Sequence, residues 1–240
     1  MSAANEPTIL GPQVYASWRA TALGAVTDAI EERLIMELTG DLVGRDVLDV
    51  GCGDGALASA MAARGAKATG VDPDPAMLAA ARSREATVGQ RATFLEGRVE
   101  RLPFPDASFD VVTAVTVLCF VADAAGAVRE LARVVRPGGR VVIGELGVWS
   151  LWAAIRRIRG WFGSATWRAA HFRAANELRS LATQAGLTVA TVRGAVYYPP
   201  IGTLARALAP VDPWLGRLTS FGAAFIAVAA DGPAEQRSGH

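Results

Sequence analysis

Residues 47 to 56 read VLDVGCGDGA, an apolar run that stops at glycines 51, 53 and 55. A continuous Val/Leu/Val run suits a strand covered on both faces, and that kind of burial belongs to parallel sheets whose crossovers are helices. Glycines spaced this closely let the backbone turn sharply and approach a ligand with no Cβ in between. The stretch therefore predicts a strand, a tight turn and a helix, with a small molecule held at the turn. The glycines leave its identity open. Gly51, Gly53 and Ala56 also satisfy the dinucleotide spacing G-x-G-x-x-A, and an acid, Asp72, lies about 20 residues on.

The rest of the chain supplies the sheet. An amphipathic stretch within residues 12–40 predicts one N-terminal helix ending at Gly40. β-like and helical patterns then alternate: DVLDV, a helix near 55–64, AKATGVD, a helix near 75–86, ATFLEG, FDVVTAV, a helix near 124–135, and GRVVIGEL. Residues 147–172 break this rhythm with four of the six tryptophans and an excess of arginine, and read as an inserted cap. A helix (AANELRSLATQAG), a strand (LTVATVRGAVY), a Pro-rich loop from Pro199 to Pro213 and a last strand (FGAAFIAVAA) follow. The expectation is an α/β fold, a doubly wound, seven-stranded, mostly parallel sheet in one domain over 1–240, with a disordered tail at 232–240.

Composition narrows the function. With 24 Lys and Arg against 23 Asp and Glu there is no global field to recruit nucleic acid, so a small-molecule partner is expected. Two cysteines and two histidines suit neither a disulfide framework nor a zinc cluster, and the expectation is a reduced, metal-free, cytoplasmic protein. The first 30 residues lack the pattern of a signal peptide, and no run of 18 uncharged apolar residues predicts a membrane span.

Asp49 separates the two cofactors. A carboxylate at the end of the first strand repels a pyrophosphate resting on the next helix, whereas a sulfonium and an ammonium are attracted to it. With GVDPDPAML, LPFPDASFDVV and VVRPGGRVVI following in order, residues 44 to 146 resemble the class I S-adenosylmethionine-dependent methyltransferases, in their small-molecule, type 11-like branch. The resemblance implies a Rossmann-like fold and S-adenosylmethionine as methyl donor. It places Asp49 at the amino-acid end of that cofactor, Gly51, Cys52, Gly53 and Gly55 in the turn beneath it, and Asp72 with Pro73 at the ribose. Met77 falls against the adenine, with Thr116 and Val117 lining the site after the fourth strand. Cys52 is expected to offer a backbone amide, and Asp74 to cap the helix that begins at 75, leaving Asp72 free.

One position departs from the pattern. Where relatives place an Asp that accepts the adenine amine, this chain has Arg98, which cannot accept, so the backbone of Arg98 and Val99 is the expected substitute. Candidate acid–base groups are few: His171 at the end of the cap, Cys119 where acceptor and methyl donor would meet, and Tyr15, which with Trp18 could close the pocket. Each has a structural alternative, and a core role is the commoner fate of a lone cysteine or histidine. Tyr197 and Tyr198 are expected at the same mouth. The segment 148–162 reads as an apolar face opposite a basic one, and three uses compete: packing on the domain, lining an acceptor pocket, or resting on a membrane surface. The expected activity is methyl transfer to a small apolar or soft nucleophile, a thiol, phenol, quinone-like or carbon acceptor. The rival is a cofactor-binding module without turnover. Oligomeric state and acceptor identity are not readable from the sequence.

Overall fold

The computed structural model describes residues 11–88 and 92–233; most of the expected tail, from 234 on, lies outside them. Seven strands form one sheet in the order β3-β2-β1-β4-β5-β7-β6: β1 Asp46–Val50, β2 Lys67–Asp72, β3 Thr93–Glu96, β4 Phe109–Val115, β5 Val135–Leu146, β6 Thr188–Ala195 and β7 Phe225–Asp231. All neighbours are parallel except β7, which runs antiparallel between β5 and β6. The chain leaves β1 toward β2 and β3, then returns to the other side of β1 with β4. The order therefore reverses at β1 and β4, where Val50 pairs with Ala114, and a crevice opens at their carboxyl ends.

Helices cover both faces. On one, α5 (Ala124–Val134) and α8 (Ala175–Gln184) bury Leu131, Val128 and Leu178 against Val112, Val141 and Ile143. On the other, α2 (Ala22–Thr39) buries Leu34, Ile35 and Leu38 against Val142, Phe225 and Ala227. The crossovers α3 (Ala56–Ala63) and α4 (Pro75–Val88) flank β1 to β3, burying Met61 and Leu78.

The N-terminal segment is two helices, not one. α1 (Pro12–Ala20) ends at Thr21, which is extended (φ −74, ψ 151) and whose side-chain oxygen accepts the Gly24 amide at 3.0 Å, capping α2. Gly24 permits the corner, since a Cβ there would lie 2.0 Å from the Trp18 carbonyl oxygen. The Pro-rich loop is also helical: α9 (Gly202–Leu208) lies within it and α10 (Asp212–Leu218) begins at its end and runs past it. Pro213 stands in the first turn of α10, where the missing amide costs nothing.

The cap folds as α6 (Leu151–Trp161) and α7 (Ala165–Ala169). Its expected division into an apolar and a basic face does not hold. Arg156 turns inward, its guanidinium 5.0 Å from the Trp152 ring and 4.8 Å from Trp167, while Trp149, Leu151, Ile158, Trp161 and Phe162 are exposed.

Candidate cofactor and acceptor site

The glycine turn joins β1 to α3 with Gly51, Gly53 and Gly55 all in the left-handed region, at φ 67, 54 and 76. Two of the three sit against neighbours: a Cβ on Gly51 would lie 2.4 Å from the Val117 methyl, and one on Gly55 would lie 2.7 Å from the Phe94 ring. Gly53 is different, since no described atom stands within 4 Å of where its Cβ would be, leaving one face of the turn open. The Gly51 and Cys52 amides donate to the Val71 carbonyl at 2.7 and 3.0 Å. Cys52 is thus not free to offer its amide. Its thiol packs in the core with Phe94 and Leu78 and is pushed up by burial and by Asp49.

Asp49 lies beneath this turn, buried. One oxygen accepts the Thr113 hydroxyl at 2.8 Å; the other, Oδ2, is buried with no hydrogen-bond partner among the described residues. Burial pushes its pKa up to about 7, with the Thr113 hydroxyl and the nearby Ala58 amide, which does not reach hydrogen-bond geometry with Oδ2, acting against the shift and Asp72 adding to it. Asp72 ends β2 with both oxygens on backbone amides, Gly53 at 2.9 Å and Asp74 at 2.9 Å. It therefore fixes the turn and the start of α4 together, whereas it was expected to stand free. Each oxygen keeps a second lone pair for a ligand hydroxyl. Asp74 caps the helix as expected, accepting the Ala76 amide at 2.8 Å. Pro73 is exposed, Met77 and Val99 are buried, and the Arg98 guanidinium lies 3.6 Å from Glu100, turned to the surface.

After β4 the chain turns at Thr116, whose φ of 54 is strained for a β-branched residue. Val117 covers Gly51, joining the two halves of the crevice. Tyr15 reaches this point from α1. Burial raises its phenol, the Thr116 hydroxyl pulls the other way, and Glu31 and Cys119 lie within electrostatic reach. Tyr15, Thr116 and Cys119 are therefore brought together. Cys119 is fully buried and its thiol is held well above its ordinary value by burial and by Glu145, which removes it as a thiolate. His171 is not part of this group: its imidazole is 64% exposed and lies 3.9 Å from Glu177, and only its backbone amide touches the site, donating to the Cys119 carbonyl at 2.8 Å. Tyr198 is a core residue whose hydroxyl lies 3.0 Å from that of Thr27, and the Tyr197 hydroxyl donates to the Thr219 carbonyl, so neither phenol is free at a mouth.

Sequence reasoning missed four acids. Asp54, just past the open glycine, pairs with Arg19 of α1 at 2.7 Å and Arg84 of α4 at 2.6 Å, and these guanidinia hold its carboxyl below the usual range against the effect of burial. Glu145 near the end of β5 accepts the Leu118 amide at 2.7 Å, and burial pushes it up to about 7. Asp212 accepts the Val196 and Tyr197 amides at 3.0 and 2.8 Å. Glu31, in mid α2, faces Arg156 of the cap, and burial pushes it up to about 8. The acid inside the apolar VVIGEL run was the one available signal, for Glu145; Glu31 sits in a charged helical stretch and Asp54 and Asp212 in Gly- and Pro-flanked turns, where an acid is ordinary.

Comparison with known proteins gives the family and the fold. A family profile described as a methyltransferase domain matches residues 48–143. The chain is 42% identical over 113 residues to a ubiquinone biosynthesis O-methyltransferase of Alkalilimnicola ehrlichii, covering 47% of this chain and 46% of that protein. It is 37% identical over 172 residues to the Bordetella avium protein of the same name, covering 69% and 71%. The first match thus spans about half the relative's length, the second over two thirds. A solved structure described as an S-adenosylmethionine-dependent methyltransferase, possible histamine N-methyltransferase, from Thermotoga maritima shares the fold, with a TM-score of 0.69 over 90% of this chain and 94% of that one at 22% identity.

Proposed function

This chain belongs to the family of S-adenosylmethionine-dependent methyltransferases, and from that premise we propose that it methylates a hydroxyl oxygen on a small aromatic acceptor by in-line displacement. The observation that carries the cofactor half is the buried, unpartnered Asp49 Oδ2 beneath an open glycine face. An orphaned carboxylate oxygen calls for a cationic or hydrogen-bonding ligand, and a pyrophosphate there would be repelled. When bound, S-adenosylmethionine supplies a methyl group activated by its sulfonium. Asp49 and the turn would hold the amino-acid end of the molecule and Asp72 the ribose hydroxyls, with Met77 and Val99 against the adenine. The chain's own contribution is alignment and exclusion of water.

The acceptor half rests on the wall formed by Tyr15, Thr116 and the Arg156 guanidinium between two indoles, a lining suited to a flat ring bearing a polar group. The name shared by the relatives, ubiquinone biosynthesis O-methyltransferase, supports an oxygen acceptor. We place the enzyme in the cytoplasm, since Cys52 and Cys119 are both free thiols, the state a reducing compartment maintains. We also propose that segment 148–162 touches a membrane surface, because Trp149, Trp161 and Phe162 are 63%, 80% and 87% exposed beside Arg157 and Arg159.

Calorimetric titration tests the cofactor: S-adenosylmethionine is expected to bind, and binding of a nicotinamide dinucleotide alone would overturn the assignment. An acceptor screen across phenols, thiols and carboxylic acids, scored by S-adenosylhomocysteine release, tests the reaction. Release with phenols is expected; release with thiols alone would overturn the oxygen acceptor.

A further inference from the structure

β4 turns away from β5 at Thr116, whose amide still donates to the Gly144 carbonyl at 2.7 Å. The edge of β5 beyond this point is taken over by the residue that closes the cap. Arg173 pairs in parallel with Gly147: its amide donates to the Leu146 carbonyl at 2.9 Å, and its carbonyl accepts the Val148 amide at 3.0 Å. The cap is thus cinched at its neck, and a buried charged side chain stands at each end of it, Glu145 before and Arg173 after. Both reach the same residue. The Leu118 amide donates to Glu145 Oε1 at 2.7 Å, and the Leu118 carbonyl accepts from Arg173 Nη2 at 3.3 Å. Ala153 and Phe172 of the cap pack on Cys119 and Leu146 beside this grip. Leu118 directly follows Thr116 and Val117, and the Val117 methyl is the group that covers Gly51 of the glycine turn. An apolar side chain at 145 would fill the same space without burying a charge, whereas Glu145 Oε2 and Arg173 Nε are both buried with no hydrogen-bond partner among the described residues.

We propose that Glu145 and Arg173 are positioning residues: gripping the amide and the carbonyl of Leu118 from the two ends of the cap, they fix where an acceptor held against the cap stands relative to the donor on the glycine turn. This rests on reading the site as one of methyl transfer to an aromatic hydroxyl. Neither side chain touches the reactants; both act through Leu118 on the backbone of Thr116 and Val117. In-line displacement depends steeply on alignment, a misplacement of about 1 Å costing about 100-fold in rate. Loosening Leu118 should therefore change which acceptor oxygen lies in line, and how often, more than it changes how tightly either molecule binds.

The test uses 4-methylcatechol, whose two hydroxyls differ little in acidity, and reads the ratio of the two monomethyl ethers formed. That ratio does not depend on how much of a variant is folded. Glu145→Leu, which fills the space and removes the buried charge, is expected to shift the ratio by about threefold or more and to lower kcat by about tenfold or more, with KM for the catechol and affinity for S-adenosylhomocysteine changed less than about threefold. Glu145→Gln, which keeps an oxygen for the Leu118 amide, should restore the wild-type ratio. Arg173→Met, which releases the carbonyl, should shift the ratio as well, and the double variant no further than the larger single shift, since both grips act through one residue. Wild-type ratio and kcat in both Glu145→Leu and Arg173→Met would overturn the positioning role while leaving methyl transfer standing. A fall in kcat matched by an equal fall in S-adenosylhomocysteine affinity, with the ratio unmoved, would overturn it too, by showing a structural role alone. A wild type that binds the cofactor yet forms neither ether would overturn the parent reading and the positioning role with it.

Discussion

Asp49 illustrates how one side chain can couple binding to pH. Its folded pKa, raised to about 7 by burial, lies above its unfolded value, so the unfolded chain loses the proton first. The free protein should therefore lose stability as pH rises from about 4 to about 8, with Asp49 and Glu145, both raised to about 7, contributing up to about 7 and Glu31, raised to about 8, over the last part of the range. A cation beside Oδ2 favours the ionised form, so binding should expel a proton below pH 7. We expect S-adenosylmethionine affinity to climb with pH up to about 7, and Asp49→Asn to weaken it by about tenfold or more and flatten the climb. Calorimetry in buffers of different ionisation enthalpy measures both; a pH dependence that survives the substitution would assign the proton elsewhere. Thr116 adds a second residue-scale cost, since a β-branched side chain at φ 54 is strained by about 1–3 kcal/mol, at the corner that Tyr15 meets.

Among the elements, the glycine turn is the most heavily braced. Asp54 ties it to α1 through Arg19 and to α4 through Arg84, and Asp72 ties it to the start of α4. Asp54→Ala leaves the partly buried Arg19 without its main partner and should cost about 2–4 kcal/mol, seen as a lower denaturation midpoint. Cofactor affinity should fall with it, and a variant as stable as wild type would show the brace to be idle. The sheet was legible because its signals are local: each strand is a short apolar run closed by turn residues, and the glycine turn declares its own geometry. What escaped depends on partners distant in sequence. The corner at Thr21 hides inside an unbroken helical period, because the deciding contact is between Gly24 and the Trp18 carbonyl. Arg156 read as solvent-facing because an arginine in an arginine-rich amphipathic stretch normally is, and only the folded cap brings two indoles against its guanidinium. α9 and α10 were masked by Pro199, Pro200, Pro210 and Pro213, although proline in a helix's first turn does not break it.

Across the whole molecule the near-neutral charge conceals a division. Residues 147 to 221 hold nine arginines against two acids, Glu177 and Asp212, while the remainder holds fifteen basic residues against twenty-one acidic. The arginine-rich part also carries the exposed Trp149, Trp161 and Phe162. Co-sedimentation is expected with vesicles containing an anionic lipid, less with zwitterionic ones, falling with salt and in a Trp161→Ala/Phe162→Ala variant whose catechol kinetics in solution are unchanged. Equal binding by that variant would exclude the cap as the contact. The described helices include none long and apolar enough to cross a membrane.

α1 is short and has no fully buried residue, yet it carries both Arg19, which grips Asp54, and Tyr15, which meets Thr116. A helix anchored by so few contacts opens more readily than the sheet it rests on. Opening it would release both grips in a single event, so the donor side and the acceptor side of the crevice would share one door and one timetable. The expected signature is kinetic: amide exchange in residues 12–20 should slow sharply with S-adenosylhomocysteine bound, and Arg19→Ala should speed both that exchange and ligand dissociation by similar factors.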